Sequence, residues 1–208
     1  MTYPGSTPAE SRPDDAGRPT VRDRLFDQRV VFLWGPLDDA RAGQLAAELM
    51  TLDATGDDPV QLHIDSPGGT LEAALCLVDV IDLLGVEVTA TCVGQAVGPA
   101  IGPLAVAHRR RATPHARFRL SEPVFDLSGP ARDIGAWAAQ HRAQLHRFCA
   151  RVARAIGTDP EALEGDLATG RFLDAAQARE YGLIDEICGP DARVYPLRTP
   201  RLGFRPRP

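Results

Sequence analysis

The sequence predicts an α/β fold of repeated strand–helix units around a parallel sheet. Three observations predict it. Short apolar runs rich in β-branched residues alternate with stretches of helical periodicity. Two strand-to-helix junctions are Gly-rich, DSPGG at 65–69 and GQAVGP at 94–99. One proline-free helical stretch fills 131–157. Parallel neighbours need crossover helices between them, and this order supplies them.

Each element follows from its residues. RVVFLWG (29–35) is too short and too apolar for anything but a buried strand. DDARAGQLAAELMTLDA (38–54) opens on Asp38 and Asp39, which suit a helix N-terminus. Its apolar positions Ala42, Leu45, Ala46, Leu49 and Leu52 form one stripe. VQLHID (60–65) predicts a second strand and TLEAALCLVDVIDLL (70–84) a second helix. VEVTATCV (86–93) predicts a third strand ending on Gly94, with a helix of small residues after Gln95. AHRRRATPHAR (107–117) reads as an arginine-rich surface loop carrying His108 and His115. RFRLSEP (117–123) is a fourth strand, with Arg117, Arg119 and Ser121 alternating against Phe118 and Leu120. On the long helix, Ile134, Trp137, Ala138, Leu145, Phe148 and Val152 spread around more than one face, which predicts more than one packing partner. Residues 159–167 and 174–182 predict two more helices, Gly182 ending the last before a closing LIDEI strand.

Residues 22–189 form one domain, long enough for a single core. Residues 1–21 are rich in Pro, Ser, Gly and Asp and read as a disordered or conditionally ordered arm. Residues 190–208 read as an extended Pro/Arg-rich tail. The net charge of −5 gives no reason to expect nucleic acid as a partner. No apolar run is long enough for a membrane span, and the N-terminus has no signal-peptide core, so the expected location is cytoplasmic. Cys76, Cys92, Cys149 and Cys188 are widely spaced among apolar neighbours and are expected to be buried free thiols. All 23 basic residues are arginine, which excludes a lysine general base.

The two Gly-rich junctions can face each other across one cleft if their strands are neighbours. The turn after GQA has the form that exposes a nucleophile beside free N–H groups, yet no Ser, Cys, Thr or Lys lies between Gly94 and Pro103. VVFLWGPLDD, HIDSPGG, CVGQAVG and FLDAAQAREYGLIDEI occur in this order, and together the chain resembles ClpP, the proteolytic subunit of the ATP-dependent Clp protease, in the crotonase-like superfamily. The resemblance spans roughly residues 22–188 and implies a crotonase-like fold in which the long helix protrudes as a handle. It also implies a seven-membered ring, single or doubled, of this chain alone or with catalytic paralogues, docking an AAA+ unfoldase. No cofactor or metal is implied.

At the positions that the resemblance assigns to the catalytic triad, this chain has Gly98 for serine, Ser121 for histidine and Gly170 for aspartate. Gly68 and Gly69 match the oxyanion side of the substrate cleft, and Pro99 stands where the second donor should be, without an N–H. The expectation is a catalytically inactive subunit kept for structure or regulation, with Trp137 and Phe148 at an oligomer interface. Three alternatives stay open. A relocated serine mechanism would use Ser66 or Ser128 with His63, His108 or His115. An acyl-CoA enzyme of the superfamily would also need the N–H missing at Pro99. A free-standing module would bind peptide as an added strand. His141 and His146 on the long helix are expected at the surface or an interface.

Overall fold

The computed structural model describes residues 20–123 and 130–189. The 190–208 tail and Ser128 lie outside them, as does the arm up to residue 19. The described elements are α1 (Val21–Phe26), β1 (Val30–Trp34), α2 (Asp39–Thr55), β2 (Val60–Ser66), α3 (Leu71–Leu83), β3 (Val88–Val97), a 3-10 turn (Gly98–Ala100) and α4 (Ile101–Ala105). There follow β4 (Arg109–Ala112), β5 (Arg117–Arg119), α5 (Ala131–Ile156), α6 (Pro160–Thr169), β6 (Phe172–Asp174), α7 (Ala175–Glu180) and β7 (Glu186–Ile187). The sheet order is β1-β2-β3-β4-β7, with β5 leaving the far end of β3 to pair with β6. Every pairing is parallel except that of β5 with β6. The chain therefore has the mixed α/β architecture expected of a ClpP fold. No described helix is long and apolar enough to cross a membrane.

The first three strands and their helices form as patterned. Val60, Leu62, Ile64 and Ser66 of β2 face inward while Gln61, His63 and Asp65 are half-buried on the other side. All five expected core positions of α2 are buried, and Asp38 caps that helix through the Arg41 N–H. Each fully buried leucine in this layer contributes about 1.5–3 kcal/mol relative to exposure. On the opposite face Phe32, Trp34 and His63 make a row of rings at 4.9 and 5.6 Å, with Trp34 still 54% exposed.

Four expectations change. A helix starts at Val21, the last residue assigned to the arm, because Thr20 and Asp23 build a capping box. Strand β3 continues past Gly94 to Val97, since β5 offers it a further partner, Gln95 lying opposite Arg117 and Val97 opposite Arg119. The arginine-rich stretch is not all loop: Arg109–Ala112 form β4 between β3 and β7. Arg110 explains its stability there, for its side chain donates to the carbonyls of Ala155 (3.2 Å) and Gly182 (2.9 Å) and grips the Asp185 carboxylate. The fourth strand is shorter than expected, three residues, because the ladder to β3 ends at Arg119.

The long helix α5 ends as expected at Gly157, which takes φ +76°. Residues 132–147 include no fully buried side chain, whereas Phe148, Cys149, Val152 and Ala153 are buried. The fold thus corrects half of the interface expectation. Phe148 is 1% exposed and packs in the protomer's own core, where Gly102 of α4 leaves room: a Cβ there would lie 2.5 Å from the Phe148 ring. Trp137 (41%) and Ile134 (40%) remain exposed on the first half of the helix.

Candidate active-site cleft

The DSPGG junction is held by backbone. The Leu37 N–H donates to the Gly68 carbonyl at 2.8 Å, and the Thr70 N–H donates to Leu37 at 3.0 Å. A Cβ on Gly69 would lie 1.9 Å from the Leu37 oxygen, so only glycine fits. Gly68 sits at φ +113°, also glycine territory. Ser66 is fully buried: its hydroxyl donates to the Gly68 carbonyl and accepts from the Gly68 N–H, both at 3.3 Å. That closes the turn and engages the expected oxyanion donor with the protein itself.

Asp65 ties this junction to the second one. Its Oδ1 accepts from the Gln95 N–H at 3.1 Å, and a Cβ on Gly94 would collide with the carboxylate at 2.5 Å. The β2–β3 register shifts at this point, between Ile64 and Ser66, because the carboxylate takes a place in the ladder.

Two of the three positions matched to a triad, 98 and 121, lie side by side. Beyond Val97 the chain turns at Gly98 (φ +50°) into the short 3-10 helix, with Pro99 buried at its start. A Cβ on Gly98 would lie 3.2 Å from Ser121 Oγ and 2.9 Å from the Ser121 carbonyl oxygen. The antiparallel β5–β6 pairing sets Arg119 opposite Phe172, and the Leu120 N–H donates to the Arg171 carbonyl at 2.8 Å. Beyond that bond the register is lost, the Glu122 N–H donating to the Leu167 carbonyl at 3.1 Å. Gly170 ends α6 at φ +75°. The three atoms nearest to a Cβ built on Gly170 all belong to the Arg119 guanidinium, at 3.4, 3.7 and 4.0 Å. That guanidinium stacks on the Phe172 ring, 5.0 Å from its centroid. Arg119 was read only as the solvent side of a strand; nothing in the local pattern places a guanidinium beside Gly170.

The other candidate groups are dispersed. His63 belongs to the ring row of β1–β2, where burial lowers its pKa. His108 lies in the exposed bend before β4, as expected, and its Nδ1 accepts from the Val88 N–H at 3.1 Å. His115 is exposed in the turn before β5. None of these three histidines bonds to Ser66 or Ser121. His146 pairs with Glu164 at 2.8 Å on the surface of α5–α6. Burial pushes the thiols of Cys92 and Cys149 up to about 12, so neither is a thiolate near neutral pH. Cys76 departs from expectation: it is exposed, on the outer side of α3. Asp166, behind Gly170, accepts from the Tyr181 hydroxyl at 2.8 Å and from Arg171 at 3.1 Å, which keeps it engaged outside the cleft.

Comparison with known proteins agrees with this geometry. The Clp protease family model matches residues 15–191. A Clp protease proteolytic subunit-like protein of Streptomyces coelicolor is 37% identical over 184 residues, covering 85% of this chain and 85% of the relative. Since the family model spans residues 15–191, a range that includes α1, both Gly-rich junctions and β7, the chain belongs to the Clp protease family.

Proposed function

We propose that the protein is a catalytically inactive Clp subunit with a structural or regulatory role in a heptameric or tetradecameric ring, built from itself or shared with catalytic paralogues. An AAA+ unfoldase is the external partner of such a ring. One observation supports the reading: position 98, matched to the nucleophile, is a glycine, and its neighbour is Ser121 rather than a histidine, a Cβ on Gly98 lying 3.2 Å from Ser121 Oγ. A peptidase of this type needs a nucleophile, a base and an orienting carboxylate in hydrogen-bond sequence. Among the described residues, no histidine bonds to the Ser121 hydroxyl to take its proton. Pro99 supplies no N–H, and an oxyanion donor is worth about 10²–10³ in kcat. Ser66, the described relocated nucleophile, spends its hydroxyl on the Gly68 turn.

The test is direct. Purified protein should resist a fluorophosphonate probe and should cleave short fluorogenic peptides no faster than buffer. Stoichiometric labelling of a serine would overturn the proposal, and its position would locate the true site. Labelling at Ser66 or Ser128 would favour the relocated mechanism.

A further inference from the structure

The geometry points to a carboxylate-binding site in the vacated triad, formed by Arg119 and Ser121 and suited to a peptide bearing an acidic side chain or a free C-terminus. The inference rests on the reading of the cleft as non-hydrolytic and adds a ligand class to it.

Arg119 is exposed and has no ion-pair or hydrogen-bond partner among the described residues. Arg171, next to Gly170 in the chain, is by contrast engaged by Asp166. Arg119 is nevertheless positioned, because its plane rests on Phe172. A stacked guanidinium keeps its edge donors free and loses little freedom on binding a planar anion. The space in front of it exists because residue 170 has no side chain; only the guanidinium borders the place a Cβ would take. A triad aspartate in that place would neutralise Arg119. Without it, a carboxylate can enter from outside and accept two parallel N–H bonds. Ser121, two residues further along the chain, has a hydroxyl that bonds to no described residue and can donate to the same anion. The exposed Phe172 ring (70%) gives the ligand's apolar neighbour a surface to cover.

Fluorescence anisotropy of the full-length protein with three fluorescein-labelled hexapeptides of alanine and leucine tests this. One ends in a free carboxylate, one is its C-terminal amide, and one is the amide with an internal glutamate. At least one acidic probe should bind at least tenfold tighter than the neutral amide, and which one does identifies the source of the carboxylate. Arg119→Gln should remove that preference, while Arg119→Lys restores only part of it. Gly170→Asp should also remove it, by supplying an internal carboxylate to Arg119. Thermal melts confirm that each variant is folded, and a variant that does not fold is replaced in the comparison by competition with free acetate and glutarate on the wild type. Mass spectrometry of the recovered peptides checks separately for hydrolysis, so cleaved probes would refute the inactive reading without touching the binding result. Equal affinity for all three probes, no binding to any of them, or a preference that survives Arg119→Gln overturns the assignment.

Discussion

A side chain at residue 98 must enter a backbone bent to φ +50° and pass 2.9 Å from the Ser121 carbonyl oxygen. The turn at Gly98 therefore leaves little room for any side chain. Returning the hydroxyl by Gly98→Ser should destabilise the fold by roughly 1–3 kcal/mol through backbone strain and crowding. It should give no peptidase activity, because an unassisted serine is a weak nucleophile at its free pKa. Urea denaturation and a fluorogenic-peptide assay on the same preparation measure both effects. Robust turnover by the single variant would mean that residues other than Ser121 and Gly170 complete the site. Gly69 shows the opposite case, a glycine fixed by fold rather than by chemistry, since its Cβ would overlap Leu37. The two look alike in sequence, and only the neighbouring atoms separate a scaffold glycine from one that replaced a reactive group.

At the level of elements, strand β4 depends on Arg110. Burial alone would raise the pKa of Asp185, but the Arg110 guanidinium and its backbone N–H donate to the carboxylate and hold it below the usual range. A folded-state pKa below the unfolded one adds stability above about pH 4, which disappears as pH falls through the folded value. The wild type should lose this increment in acid and Arg110→Ala should not, as read by denaturant midpoints between pH 6 and pH 2.5. Asp185 is half exposed, so solvent keeps the pH-dependent part small. The larger effect, about 2–3 kcal/mol at neutral pH, comes from leaving the Ala155 and Gly182 carbonyls without their donor. This element also marks where sequence reading fails. Strands β1 to β3 and helices α2 and α3 were legible because one face is apolar at period 2 or 3.6. RRRA has no such face; it becomes a strand through β3, β7 and an ion pair 75 residues away. Phe148 was misplaced for a related reason. Its helix is apolar around several faces, and the cavity that receives it is made by Gly102, which no periodicity announces.

For the whole molecule, the question is what covers the free half of α5. Residues 132–147 carry no fully buried side chain over a length of roughly 24 Å at about 1.5 Å per residue. Trp137 and Ile134 lie on that stretch. If the ring reading holds, Trp137 becomes a buried anchor, and its truncation costs on the order of 2 kcal/mol or more per interface. Native mass spectrometry should find rings of seven or fourteen subunits, alone or with a catalytic paralogue, and Trp137→Ala should break them while each subunit stays folded. A monomer under both conditions would end the ring reading. The placement of β4 has one more consequence, which concerns the order of synthesis. Residues 109–112 leave the ribosome well before Glu186 and Ile187, which close their open side. Until then the nascent sheet presents an unpaired edge, the kind that recruits other chains into aggregates. Three consecutive arginines on that edge repel such pairing while the chain is incomplete. When the last strand arrives, Arg110 turns from guarding the edge to fastening it, so the same charges protect the unfinished protein and then lock the finished one.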